Sequence, residues 1–201
     1  MKENKLLRGL CVLTAALMLG LTGCASSSDA NGSDAQSQAD TAEVQSAWTE
    51  LDQTTITKEM GMGWNLGNQL EASNAGIPSE TTWGNPTISE DLIKAVKEQG
   101  FKTVRIPVSY LDKIGAAPDY TIDSAWLDRV QEVVDYVVGN DLYAIINIHG
   151  DGYYTVDKSW LRCVDDNQDE IKDKYEKVWA QIADRFKDYD QHLIFESMNE
   201  E

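Results

Sequence analysis

From residue 60 onward, short apolar runs alternate with longer stretches whose apolar residues recur at helical spacing. This alternation limits the possible folds more than any other feature of the chain. The runs at residues 60–66, 102–106, 142–148 and 192–199 read as strands. The first carries Gly61 and Gly63, which suits close backbone approach. The second is stopped by Pro107, and the third is almost uniformly apolar, as a parallel strand covered on both faces should be. A helix after Pro86 is expected from Leu92, Ile93 and Val96, with a capping box at Thr87 and Glu90 and Gly100 at its end. Asp123 caps a second, whose stripe is Leu127, Val130, Val133, Val134 and Val137, and which Gly139-Asn140 closes. A third spans residues 168–186, with Ile171, Tyr175, Val178, Trp179 and Ile182 on one face. The segments 68–86 and 150–166 read as loops.

The order β-α-β-α-β-α-β predicts an α/β fold: a parallel sheet with right-handed crossovers. A doubly wound sheet and a closed barrel both satisfy that order. Nucleotide binding by the first would call for Gly-x-Gly-x-x-Gly after the first strand, and that signature is absent. A closed (β/α)8 barrel requires about eight strands, of which four are read here.

The formal net charge of -17 argues against nucleic-acid binding, since phosphate contacts need clustered Lys and Arg, so no nucleic-acid partner is expected. It also speaks against electrostatic attachment to anionic lipid, whereas a neutral sugar polymer meets no repulsion. With His149 and His192 the two histidines, and no Cys-x-x-Cys, no metal or other cofactor is expected. Lys2, Lys5 and Arg8 followed by an apolar run to Leu21 read as an export signal, too short to span a bilayer. Leu21-Thr22-Gly23-Cys24 has the form of a bacterial lipobox, which would make residues 1–23 a lipoprotein signal peptide and Cys24 the lipidated residue. Residues 24–43 are rich in Ser, Ala and Asp and read as a flexible tether to that membrane anchor. The protein is thus expected outside the cytoplasm, lipid-anchored or secreted, with its globular part over residues 44–201. Cys11 falls in the signal, and Cys163 is left without a disulfide partner.

The C-terminal ends of the strands collect polar residues: Asn65 and Asn68, Arg105, His149, then Asn199 and Glu200. Taken singly, an arginine at a strand end is usually an ion-pair partner, and a histidine after an apolar strand is usually structural. Four strands offering such groups at one rim suit acid–base work on a polar substrate. In the loops, Trp83, Tyr153 and Tyr154 are candidate platforms for sugar rings, against the plainer reading of aromatics folded onto the core. Trp64 and Trp179, inside elements, read as core.

Four segments, Trp64-Asn65-Leu66-Gly67-Asn68, Gly100-Phe101-Lys102-Thr103-Val104-Arg105-Ile106-Pro107-Val108, Ile145-Ile146-Asn147-Ile148-His149 and Leu193-Ile194-Phe195-Glu196-Ser197-Met198-Asn199-Glu200, together resemble glycoside hydrolase family 5, the cellulase family. They occur in the family's order and spacing. The resemblance implies a (β/α)8 TIM barrel, truncated after about the fourth strand, and a retaining endo-β-glucanase acting on β-1,4-linked glucans. It implies that Glu200 is the proton donor and Asn199 binds the sugar 2-hydroxyl. Arg105 would sit beside the nucleophile, and His149 would line the cleavage subsite. Asn68 is a plausible sugar hydrogen-bonder, with Trp83 and Tyr153.

Gly150 stands where many relatives have a second histidine, and Glu201 where the family usually has proline. The nucleophilic glutamate of the family lies on a seventh strand. Retention needs two carboxyl groups about 5 Å apart, and Glu196 should lie about 13 Å from Glu200 along one strand. Asp151 and Glu71 would approach only by accident. The chain is therefore expected to be an inactive N-terminal half with an unpaired sheet edge, hence poorly folded alone. The rival expectation is a non-catalytic surface lipoprotein that binds polysaccharide.

Overall fold

The computed structural model describes residues 52–200. The export signal, Cys11, Cys24, the tether and Glu201 lie outside the described residues. The described residues belong to one compact unit.

The strands are Gly63–Asn65 (β1), Ser73–Asn74 (β2), Ile77–Pro78 (β3), Thr103–Ile106 (β4), Tyr143–His149 (β5) and Leu193–Asn199 (β6). The helices are Gln53–Met60 (α1), Glu90–Glu98 (α2), Ser124–Val138 (α3) and Gln168–Arg185 (α4). The main sheet runs β1-β4-β5-β6, every pair parallel and each connection carrying a helix. This is the β-α-β-α-β-α-β order read from the sequence.

Local chemistry explains the helix starts. The Asp123 carboxylate accepts from Trp126 N at 2.8 Å, as expected of a cap. At α2 the cap is Ser89, whose Oγ accepts from Leu92 N at 3.3 Å, so the start is displaced from Thr87. Glu90 there pairs with Lys94 at 3.0 Å rather than reaching back to a backbone amide. No apolar periodicity announces a helix before β1. Asp52 nonetheless caps α1 by accepting from Thr54 N at 2.9 Å and Thr55 N at 3.0 Å.

Side chains alternate across each strand, and the two faces have different company. Val104, Ile106, Ala144, Ile146 and Ile148 pack with Val130, Val133, Val134 and Val137 of α3 and Val178 and Ile182 of α4, all fully buried. Asn65, Arg105, Asn147 and Glu196 lie on the opposite face, joined to one another by hydrogen bonds. Strand β5 is therefore apolar on the helix side and polar near its end on the other, rather than apolar throughout. Trp64 and Trp179 are partly buried against the core, and Trp179 Nε1 donates to Ser197 O at 3.0 Å.

Two irregularities interrupt this regular scheme. The segment read as a plain loop after β1 holds the β2–β3 hairpin. Its turn, Ala75-Gly76, has φ of 49° and 71°, the two positive values of a type I′ turn. A Cβ at Gly76 would lie 2.2 Å from Asp157 O, so glycine is required there. The second is a bulge. Asn147 pairs with Glu196, but His149 pairs with Asn199, so β6 fits three steps where β5 takes two.

Candidate active site

The bulge re-aims the end of β6. Strict alternation would put Glu196 and Asn199 on opposite faces. With one extra residue between them, both point to the same guanidinium. Arg105 Nε donates to Glu196 Oε2 at 2.7 Å, and Nη2 donates to Glu196 Oε1 at 2.6 Å and to Asn199 Oδ1 at 2.7 Å. Nη1 donates to Asn65 Oδ1 at 3.0 Å. The two-pronged pair holds the Glu196 carboxyl below its ordinary range and pushes the guanidinium up. Asn199 thus offers its oxygen to Arg105 and keeps its Nδ2 as the donor end.

His149 ends β5 and is 14% exposed, while Glu200, just past β6, is 56% exposed. Nε2 of His149 lies 3.9 Å from Glu200 Oε2. Burial lowers the imidazole from its ordinary value, and the Arg105 charge lowers it further, against Glu71, Glu200 and Glu196. Glu200 has φ of 62°, a left-handed backbone that a glutamate rarely adopts.

Asn68, Trp83, His149, Tyr153 and Glu200 line one cleft of about 400 Å³, so the loop residues singled out by sequence converge on the proposed acid. Trp83 Nε1 donates to Ser73 O at 2.9 Å, which fixes an indole that is 54% exposed on the cleft wall. Tyr153 lays its ring on Gly150. A Cβ at residue 150 would meet Cε2 at 2.9 Å, and φ there is 72°. Tyr154 does not line this cleft. It is 71% exposed, with the Arg162 guanidinium 3.9 Å from its ring centre, so it is not a platform beside Glu200.

Several site residues escape sequence reasoning. Glu196 draws notice in the sequence only as a carboxylate too far along its strand to partner Glu200; the structure commits it to Arg105. Asn147 donates to Glu196 Oε1 at 3.1 Å. Glu71 lines the cleft, but its carboxylate accepts from the amides of Asn68 and Gln69, shaping the first loop. Asp151 is fully buried: it accepts from Ser109 Oγ at 2.7 Å, Tyr110 N at 3.1 Å and Trp160 Nε1 at 2.8 Å. It ties the loop after β4 to the loop after β5. Period-two reading of β5 would have placed Asn147 beside His149; no sequence signal announces the β6 bulge.

A parallel sheet with crossover helices, and a carboxylate, histidine and arginine at the strands' C-terminal rim, match the place where (β/α)8 barrels keep their active sites. A family model described as Cellulase (glycosyl hydrolase family 5) matches residues 66–201. The chain belongs to glycosyl hydrolase family 5, and its fold is that of the first strands of a TIM barrel. It is 61% identical over 145 residues to Endoglucanase A of Paenibacillus barcinonensis, covering 72% of this chain and 36% of that protein. It is 47% identical to Endoglucanase B of Clostridium cellulovorans, covering 72% and 31%. Among solved structures, a family 5 xyloglucanase from Paenibacillus pabuli in complex with ligand superposes with a TM-score of 0.71 at 62% identity, covering 72% and 40%. A broad specificity endoglucanase from Ruminococcus champanellensis with bound cellotriose gives 0.69 at 45%, covering 76% and 44%. The chain thus spans about a third of the length of these two endoglucanases.

Proposed function

We propose that this chain supplies the acid/base half of a retaining endo-β-glucanase that cleaves β-1,4-linked glucans. The observation that carries the proposal is Glu200, placed 3.9 Å from His149 in a cleft walled by Trp83 and Tyr153. Glu200 protonates the glycosidic oxygen as the bond breaks, then takes a proton from the water that releases the sugar. Asn199, oriented by Arg105, presents Nδ2 to a sugar hydroxyl. The aromatic faces of Trp83 and Tyr153 and the polar rim of Asn68 hold the pyranose rings.

The covalent partner of this acid belongs, in this reading, to a strand that the described residues do not include. Glu196, Asp151 and Glu71 each have a structural task already. The 201-residue chain alone is therefore expected to be inactive on soluble β-1,4-glucan. Residues 44–201 joined to the part of Endoglucanase A of Paenibacillus barcinonensis that lies beyond the matched segment are expected to release reducing ends with retention of anomeric configuration, read by proton NMR. Inversion, or no hydrolysis by a folded joined protein, would refute the assignment. We further propose lipid anchoring at Cys24, which labelled palmitate incorporation, lost in Cys24→Ala, would test.

A further inference from the structure

We propose that Asn147 is a positioning residue that fixes His149 as the neutral tautomer with its proton on Nε2, so that the cleft receives a hydrogen-bond donor beside Glu200.

Asn147 is 1% exposed, and its amide has three contacts that set its orientation. Oδ1 accepts from Val108 N at 3.3 Å. Nδ2 donates to Glu196 Oε1 at 3.1 Å and lies 3.2 Å from His149 Nδ1. The reversed amide would face its oxygen to the Glu196 carboxylate and leave a buried backbone N–H without an acceptor, both costly. With Nδ2 fixed as the donor, both of its hydrogens are engaged, and Nδ1 of His149 must present a lone pair. The ring proton then resides on Nε2, the nitrogen that faces Glu200.

A doubly protonated ring would set an Nδ1–H against the Asn147 amide hydrogens. The charged groups around it are Arg105, which opposes that state, and Glu71, Glu200 and Glu196, which favour it; burial outweighs them. The chain thus builds a neutral donor, whose targets are a sugar oxygen or the Glu200 carboxylate. The inference rests on the glycosidase reading only for what that donor meets; the tautomer itself is defined without substrate.

The test is a two-bond proton–nitrogen NMR correlation on the joined barrel described above. The His149 signals are identified by their loss in His149→Gln. The expected result is a protonated-type signal at His149 Nε2 and a bare-type signal at Nδ1 across neutral pH. Asn147→Asp, which gives an Nδ1–H a carboxylate to donate to, is expected to raise the His149 titration midpoint by about one unit. A proton on Nδ1 in the parent chain overturns the proposal. So does an unmoved midpoint in a variant whose circular dichroism matches the parent. If that variant does not fold, the parent spectrum decides alone. Failure of hydrolysis would leave these spectra unchanged, so the two readings fail separately.

Discussion

At the scale of residues, the two buried or paired carboxylates beside the site respond to pH with opposite signs. Burial raises Asp151 to about 6 from 3.8 despite its hydrogen bonds. A raised acid holds its proton more tightly folded than unfolded. Its contribution to stability is therefore greatest below about pH 4 and is lost as pH climbs through about 6, by roughly 3 kcal/mol. Glu196, held low by Arg105, adds stability above its ordinary range that is lost as pH falls through the folded value. Asp151→Asn is expected to flatten the first slope and leave the second, as read from urea midpoints between about pH 2 and 7. Arg105→Lys keeps a charge but not the two-pronged contact, and is expected to cost the joined barrel about tenfold in rate or more. Equal rates in parent and variant would argue against orientation of Asn199 by the guanidinium. Arg105, His149, Asn199 and Glu200 are legible in sequence because each stands at or beside the C-terminal end of a strand that the sequence predicts. Asn147, Glu196 and Asp151 are not, because their roles depend on partners from other strands and loops.

At the scale of elements, helices and strands agree closely with periodicity, and the misses lie where local chemistry overrides it. The α3 stripe from Leu127 to Val137 is buried as read, and Asp123 caps it. Asp123→Ala is expected to destabilise the fold by about 1 kcal/mol in a urea melt, with no change in the m-value. A shift below a few tenths would mean that the cap is replaced by water at no cost. Helix α1 escapes notice because it has no buried residue to print an apolar stripe. The hairpin escapes because Ala75 adopts a turn conformation usually given to Asn or Gly. The β6 bulge has the largest consequence. Deleting Ser197 to restore alternation is expected to break the Arg105–Asn199 contact and abolish activity in the joined barrel, whereas retained activity would show that the extra residue aims nothing.

At the scale of the whole molecule, the parallel order read from sequence holds, and the barrel expectation agrees with the solved relatives, as superposition at TM-scores of 0.71 and 0.69 shows. The net charge of -17, with Glu71 and Glu200 at the cleft, makes the charge of the polymer matter. Neutral hydroxyethyl cellulose is expected to bind several-fold better than the carboxymethyl polymer at low salt, with the gap closing as ionic strength screens the field. A gap unchanged by salt would place the discrimination in shape instead of charge. The role of Glu200 is tested most directly by Glu200→Gln in the joined barrel, assayed on two substrates. A glucan leaving group needs a proton from the enzyme; a dinitrophenyl leaving group does not. The expected result is a loss of at least about a hundredfold on soluble glucan, with release of dinitrophenol in the first turnover near the parent rate. Equal losses on both substrates, or no loss on glucan, would contradict Glu200 as the proton donor.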